Sequence, residues 1–353
     1  MLDDAGGAGS ADLADTEHVD AEPIASDQWT DHCGKTHRTV VYEDHARTII
    51  NRVDSPDLGF NWTINPYRGC EHGCIYCYAR PTHEQLGFSA GLDFESKLLA
   101  KVDAARLLKK ELARDRWQPE PIVLSGVTDP YQPIESRLKI TRSLLEVLAA
   151  ARQPVSIVTK SRLILRDLDL LTELARHDAV RVAVSLTTLD NQLAARLEPR
   201  AASPRDRLWT IQRLASAGIP VSAMVAPVIP AVTDREMPRL LKAAADAGAR
   251  AASYILLRLP HGNKALFERW LDEHLPDRRE HVLNLLRQAR GGELYDATFT
   301  RRMTGQGPYA RQLHDTFDLF ARRYRLDSGL PAMTAQSFRR PTAHDQLPLF
   351  DAA

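Results

Sequence analysis

Residues 65–79 read NPYRGCEHGCIYCYA, a stretch that holds three of the chain's four cysteines. Cys70, Cys74 and Cys77 stand at C-x3-C-x2-C spacing, just after a predicted strand over residues 61–65. Three thiolates in one short loop can face one metal centre, and the two glycines in the loop relax the backbone as it wraps. The loop therefore predicts a metal site.

A structural zinc site is the main alternative for this loop. Zinc usually takes four ligands as paired C-x2-C elements, and the sequence has no second pair. Cys33 or His72 could supply the fourth ligand, so zinc stays open at this stage. Cysteines this few and this clustered do not form the disulfide framework of a secreted protein.

Around the loop, short β-rich runs alternate with amphipathic helical stretches. Near-continuous apolar runs such as Ile122-Val123-Leu124 are typical of strands buried on both faces of a parallel sheet. Right-handed crossovers place all helices outside one sheet, so this pattern predicts an α/β fold, a partial (β/α)6 barrel without eightfold closure. The strands are predicted over residues 61–65, 121–126, 155–159, 180–186, 220–226 and 251–258.

Helix ends carry local signals as well. Residues 203–206 and 233–236 read as capping boxes that open helices. Gly218 and Gly248 are expected to close these helices, because glycine favours the left-handed C-terminal position.

Composition divides the chain into five segments. Residues 1–28 contain Asp and Glu but no Lys or Arg, and they predict a disordered acidic tail. An N-terminal extension is expected over 29–59 and the barrel over 60–260. Helical patterns predict a C-terminal helical cap over 261–330, and polar composition predicts a flexible tail over 331–353.

Charge and hydropathy limit the class of protein. The chain has 46 Lys and Arg against 46 Asp and Glu, and 44% of its residues are hydrophobic, which excludes fibrous and fully disordered proteins. It lacks the run of about 18 apolar residues of a membrane span. Its N-terminus lacks the basic and apolar regions of a signal peptide. These features predict a cytoplasmic protein without a membrane partner.

With Tyr76 directly before the last cysteine, the loop resembles that of the radical S-adenosylmethionine superfamily. The resemblance implies that Cys70, Cys74 and Cys77 bind a 4Fe–4S cluster whose open iron binds S-adenosylmethionine. In that family, one electron from the cluster cleaves this cofactor into methionine and a 5′-deoxyadenosyl radical. The family's fold is a partial (β/α)6 barrel with this loop after the first strand, which agrees with the strand pattern.

The later strand ends resemble the branch related to spore photoproduct lyase, which reverses a thymine lesion in DNA. The similar segments are 125–135, 159–161 and 185–187. In this resemblance a Lys160 ammonium pairs with the cofactor carboxylate, and two hydroxyls bond its ribose or amino acid end. A capping or turn role is the alternative for the hydroxyls. The residues implied to contact S-adenosylmethionine are Tyr76, Thr128, Lys160, Ser185 and Ala226.

One departure from that branch concerns the second strand end. The lyases carry a cysteine there that returns a hydrogen atom to the product, whereas this chain has Gly126-Val127. The remaining cysteine, Cys33, lies far upstream. The substrate is therefore left unassigned.

The sequence predicts an enzyme that abstracts a hydrogen atom from an unidentified substrate, with an electron donor such as flavodoxin or ferredoxin. Two arginine-rich regions could bind a polyanion such as nucleic acid, and the alternative is that they are solvated helix faces, which often carry such charge. The alternative is a zinc-stabilised nucleic acid binding protein without catalysis. The arginines are Arg196, Arg200, Arg205 and Arg207 near the fifth strand, and Arg301, Arg302, Arg322, Arg323 and Arg325 in the cap.

The C-terminal peptide over residues 346–350 reads QLPLF. It resembles the motif with which bacterial replication and repair proteins bind the sliding clamp, although Pro348 departs from that motif. Packing against the body of the protein is the alternative, because an apolar end is costly to leave in water. The predicted clamp contacts are Gln346, Leu347, Leu349 and Phe350.

Overall fold

The computed structural model describes residues 22–30 and 34–342. Within these ranges the strands form a seven-stranded sheet and a four-stranded sheet. The strands are β1 Ala25–Thr30, β2 Thr36–Glu43, β3 Ile50–Arg52, β4 Trp62–Ile64, β5 Tyr67–Arg68, β6 Lys97–Ala100, β7 Ile122–Leu124, β8 Val155–Thr159, β9 Val180–Ser185, β10 Val221–Val228 and β11 Ala251–Leu256.

The α-helices connect the strands and then form a C-terminal group. None of the helices in the described part of the chain is long and apolar enough to cross a membrane. They are α1 Asp93–Ser96, α2 Ala104–Leu112, α3 Glu135–Leu138, α4 Ile140–Ala151, α5 Leu168–Ala175, α6 Asn191–Leu197, α7 Pro204–Ser216, α8 Met237–Asp246, α9 Asn263–His274, α10 Arg279–Ala289, α11 Arg301–Thr304 and α12 Gly307–Arg323. Short 3-10 helices cover Arg80–Leu86, Arg162–Asp167, Asp234–Glu236 and Pro276–Arg278.

The seven-stranded sheet contains all six predicted strands. Its order is β11-β10-β9-β8-β7-β4-β3, in which the six neighbours from β11 to β4 are parallel and β3 is antiparallel to β4. Side chains such as Ile157, Val182 and Ala223 are fully buried in its core. The prediction of an α/β partial (β/α)6 barrel is confirmed, and β3 and β11 form its two open edges.

The four-stranded sheet was not predicted. Its order is β1-β2-β6-β5, and β5 ends directly before the cysteine loop. β1 begins at Ala25, inside the stretch 1–28 for which composition predicts a disordered tail. Its antiparallel pairing with β2, from Ala25 opposite Val41 to Thr30 opposite Thr36, supplies backbone hydrogen bonds that composition does not reveal.

The C-terminal helices form the predicted cap. Trp270 of α9 and Leu283 of α10 are buried in one apolar cluster with Leu257 and Leu259, which follow β11. Burial of this cluster places the start of α9 beside the barrel mouth, where Asn263 Nδ2 donates to the Cys77 carbonyl at 2.7 Å. The cap therefore contacts the cysteine loop.

Part of the predicted flexible tail lies against the body. The Arg339 amide donates to the Ala151 carbonyl at the end of α4 at 2.8 Å, and the Thr334 amide donates to Asp178 at 3.0 Å. The Phe338 ring packs against the main core. Hydrogen bonds to otherwise open carbonyls thus hold residues 331–342, whereas the sliding-clamp peptide 346–350 lies outside the described residues.

Helix signals gave mixed results. Ser203 Oγ accepts from the Asp206 amide at 3.1 Å and caps α7 as predicted, and Gly218 and Gly248 have positive φ of 79° and 98°. The prediction of a capping box at residues 233–236 is wrong. Thr233 Oγ1 accepts from the Ile229 amide at 2.8 Å instead, so a 3-10 turn precedes α8.

An ion pair connects the two open edges of the barrel. Asp57 lies in the loop between β3 and β4, and Arg302 lies in α11 beyond β11. Arg302 Nε donates to Asp57 Oδ2 at 2.7 Å, and the Thr300 amide donates to the same oxygen at 3.0 Å. Because the Asp57 side chain is only 3% exposed, this pair is better shielded than a surface salt bridge.

Asp57→Asn is expected to destabilise the protein in a pH-dependent way. The hydrogen bond from Arg302 lowers the pKa of Asp57 below its ordinary 3.8. A carboxyl group whose pKa is lower in the folded state stabilises the fold at pH values above its unfolded-state pKa. This contribution is lost as the pH falls below the unfolded-state pKa. We expect the variant to lose about 2 kcal/mol in its free energy of unfolding at pH 7. At pH 3 this loss should be about 1 kcal/mol smaller.

Urea unfolding at both pH values measures this difference. The control is Asp103→Asn, which removes the exposed partner of Arg106 and is expected to change little. Equal unfolding midpoints for the two variants at pH 7 would contradict a bracing role for Asp57.

Candidate functional site

A buried arginine organises the cysteine loop. Arg80 is 2% exposed, and its Nε donates to the Cys74 carbonyl and its Nη2 to the Gly73 carbonyl, both at 3.0 Å. Its remaining bonds reach the carbonyls of Ala90 and Gly91 and the Glu95 carboxylate. Since the loop carbonyls are committed to Arg80, the shape of the loop is fixed by the chain itself.

The loop is also closely packed behind its glycines. A Cβ on Gly73, which has φ of 65°, would lie 2.2 Å from Glu95 Oε2. A Cβ on Gly69, which has φ of 78°, would lie 2.8 Å from the Phe94 carbonyl oxygen. Both positions favour glycine for their backbone conformation, and at Gly69 the Phe94 backbone also leaves no space for a side chain.

The three thiols are free and mostly enclosed. Cys70 and Cys74 are each 7% exposed, and Cys77 is half-buried. Burial raises the pKa of the Cys74 thiol to about 12 and that of Cys70 well above its ordinary value. Cys70 and Cys74 are thus neutral thiols without metal, and metal binding would replace their protons. In the described residues, no three His, Cys, Asp or Glu side chains form a site for a single metal ion.

His72 is buried beside a strand-end carboxylate. Its Nδ1 lies 3.4 Å from Asp129 Oδ2, and burial lowers its pKa to about 4. Asp129 also accepts from Thr159 Oγ1 at 2.8 Å and from the Lys160 amide at 2.7 Å. This carboxylate therefore joins the ends of β7 and β8 to the cysteine loop.

Tyr76 anchors a second buried network. Its hydroxyl donates to Glu198, which also accepts from Arg207 and, at 2.7 Å, from Thr187 Oγ1. Burial alone raises the pKa of Glu198, but Arg207 and Lys160 outweigh it and hold the pKa at about 2. The ring of Tyr76 is thereby fixed at the mouth of the barrel.

Lys160 follows β8 and faces the same loop. Its Nζ lies 5.9 Å from the centroid of the Tyr76 ring. Burial acts to lower its pKa, but the neighbouring acidic groups, chiefly Cys74 and Glu198, outweigh burial, and the pKa is raised. The side chain is therefore an ammonium beside the Tyr76 ring.

The remaining predicted cofactor residues lie on neighbouring strand ends. Thr128 Oγ1 donates to the Tyr67 carbonyl at 2.9 Å, so its hydroxyl proton is used within the protein. Ser185 is buried at the end of β9. Ala226 in β10 accepts through its carbonyl from Thr187 Oγ1 at 3.1 Å. The structure thus brings Lys160 within cation–π range of the Tyr76 ring and places the other three along the same edge.

Two arginines predicted to bind polyanions are internal. Arg207 is 2% exposed and pairs with Glu198. Arg200 has a side chain only 9% exposed, and its Nη1 lies 2.9 Å from Glu71 Oε1. The prediction is wrong for these two residues, because the Glu198 and Glu71 carboxylates pair with them inside the fold.

Sequence analysis missed the roles of Asp129, Thr187, Glu198 and Arg207. Asp129 and Thr187 stood in the strand-end segments that were singled out, where strand-end position was an available signal. The pairing of Glu198 with Arg207 had no local signal, because it depends on how α6 and α7 return to the sheet.

The site and the fold agree with comparisons to known proteins. Residues 64–244 match the family description "Radical SAM superfamily". The chain belongs to the radical S-adenosylmethionine superfamily. It is therefore an enzyme of the family that uses S-adenosylmethionine together with an iron–sulfur cluster, as the sequence predicted.

Relatives and a solved structure extend this result. An uncharacterised protein of Mycobacterium tuberculosis is 38% identical over 239 residues, 67% of this chain and 70% of the relative. One of Methanocaldococcus jannaschii is 31% identical over 191 residues, 54% and 68% of the two chains. Spore photoproduct lyase complexed with dinucleoside spore photoproduct superposes with a TM-score of 0.59 at 17% identity, over 80% of this chain and 78% of that one. The fold is thus similar to that of the predicted branch.

Arg207→Met is expected to destabilise the protein by about 3–5 kcal/mol, because it leaves the Glu198 charge buried without its main partner. Adding Glu198→Gln should recover much of this loss, since neither side chain at positions 198 and 207 then carries a charge. Urea unfolding of the two variants measures the effect.

Arg213→Met serves as the control, because this residue is exposed on the same helix, α7. A loss no larger than that of the control would show that the Glu198–Arg207 pair does not hold the site together.

Proposed function

We propose that Cys70, Cys74 and Cys77 bind a 4Fe–4S cluster and that the enzyme abstracts a hydrogen atom from a nucleic acid. The observation that carries the proposal is the position of Lys160, whose Nζ lies 5.9 Å from the ring centroid of Tyr76, the residue directly before Cys77. A cation there suits an anionic cofactor bound beside the cysteine loop.

The cluster would supply the electron that cleaves S-adenosylmethionine into methionine and a 5′-deoxyadenosyl radical. The chain's own residues would bind and orient that cofactor. Lys160 would pair with its carboxylate, and Tyr76, held by Glu198, would present a fixed ring beside it. Thr128, Ser185 and Ala226 would line the cofactor along the neighbouring strand ends, and the buried barrel would keep water from the radical.

Nucleic acid is the proposed substrate class. The fold similarity to a lyase complexed with a dinucleoside photoproduct supports it. The strand end that carries a hydrogen-donating cysteine in that branch has Gly126-Val127 here, and Gly126 has a positive φ of 124°. Without a thiol at this position, the reaction proposed here ends in a different fate of the substrate radical.

A reduced flavodoxin or ferredoxin in the cytoplasm is the proposed electron donor. Family membership supports this donor, because reductive cleavage of S-adenosylmethionine consumes an electron that must be supplied to the cluster. Membership of this family also favours catalysis over the alternative of a zinc-stabilised nucleic acid binding protein.

Replacement of each loop cysteine by alanine is expected to abolish cluster binding. A cluster that keeps one iron open for the cofactor has no thiolate to spare. Iron per chain after anaerobic reconstitution, together with the brown charge-transfer absorption, measures the loss. Cys33→Ala is the control and should retain its iron; full iron in Cys74→Ala, or its loss in Cys33→Ala, would refute this ligand set.

Lys160→Ala is expected to weaken S-adenosylmethionine binding roughly tenfold to hundredfold, since a desolvated charged hydrogen bond contributes about 1.5–3 kcal/mol. Iron content should stay unchanged. Anaerobic titration calorimetry measures the affinity, with Lys110→Ala on the exposed face of α2 as the control. Equal affinities for the two variants would mean that Lys160 does not bind the cofactor.

A further inference from the structure

Two arginines near the end of β11 have no carboxylate partner. Arg258 follows β11, and Arg290 follows α10. Neither forms an ion pair in the described part of the chain, and the Nε of each is buried without a hydrogen-bond partner. The Nη groups of Arg290 donate to the carbonyls of Leu256, Leu257 and Arg301. This end of the barrel therefore carries two guanidinium groups without an ion-pair partner, and Asp296 acts on Arg290 only through space.

Electrostatics agree with this geometry. Burial, and then the charge of Arg258, lower the pKa of Arg290 to about 10. Two guanidinium groups that oppose each other in this way create a local preference for an anion. Arg302 contributes less to this preference, because Asp57 already neutralises it.

Arg258 also stacks on an exposed tyrosine. Its guanidinium carbon lies 4.9 Å from the centroid of the Tyr78 ring. Tyr78 directly follows Cys77, is 45% exposed, and donates its hydroxyl to the Gly126 carbonyl. The ring is thus held at both its edge and one face while much of its surface stays open.

We propose that Arg258 and Tyr78 form a nucleotide-binding subsite, which rests on the proposed function. Arg258 takes a phosphate of the substrate, and the open surface of Tyr78 takes the adjoining base. An aromatic platform beside an unpaired guanidinium is the combination with which proteins bind single-stranded nucleic acid. Because Tyr78 neighbours Cys77, a nucleotide bound here lies next to the proposed cluster.

Fluorescence anisotropy of the reconstituted full-length protein tests the subsite with two probes. One is a fluorescein-labelled oligothymidylate, and the other is an abasic oligonucleotide of equal length, which keeps the phosphates and lacks the bases. Arg258→Gln should weaken binding of both probes about tenfold and lower the salt slope by about one. Tyr78→Leu should weaken only the thymidylate probe, about tenfold.

Two control variants separate the subsite from general effects. Tyr78→Phe keeps the ring and should bind both probes like the wild type. Arg239→Gln removes an exposed charge on α8, outside the proposed subsite, and should bind like the wild type. Iron content of each variant reports whether the loop is intact.

The outcomes are distinct. Equal affinities for Arg258→Gln and Arg239→Gln, or equal losses of Tyr78→Leu on both probes, would overturn the subsite while leaving nucleic acid binding in place. A wild type that binds neither probe would overturn the subsite together with the nucleic acid part of the proposed function. Cofactor binding at Lys160 would stand or fall separately by its own titration.

Discussion

The site depends first on how one buried guanidinium holds the cysteine loop. Three thiols can act together only if their backbone is fixed, and the loop carbonyls of Gly73 and Cys74 would be costly to bury without donors. Arg80 supplies these donors and reaches the segment before α1 as well. Because its planar group makes bonds in several directions at once, a lysine could not replace it.

The strand ends add a second layer of constraint. Asp129 joins the ends of β7 and β8 to His72, and Glu198 joins Tyr76, Thr187 and Arg207. The oxygens of both carboxylates contact several partners. The two side chains therefore hold the cysteine loop against the sheet as well as balance charge. The fixed positions of Tyr76 and Lys160 follow from these two networks.

Much of the fold was predictable because its signals are local. The strand β8 was predicted at its observed bounds, since an apolar run between turns identifies a strand buried on both faces. The sheet around the cysteine loop was not, because β5 has only two residues and β1 is an edge strand. The features of the site also differ in whether a local sequence signal reveals them. The cysteine spacing is visible in the sequence, whereas Arg207 looks like a surface charge until its carboxylate partner is known.

The most direct test of this account is the transfer of deuterium to 5′-deoxyadenosine. Reduced, reconstituted protein would be incubated anaerobically with S-adenosylmethionine and with deuterated DNA, tRNA or protein fractions, and the mass of the nucleoside measured. The account predicts that 5′-deoxyadenosine forms and gains deuterium from a nucleic acid fraction. It would be contradicted if the yield did not exceed that of a variant lacking Cys70, Cys74 and Cys77, or if only the protein fraction donated deuterium.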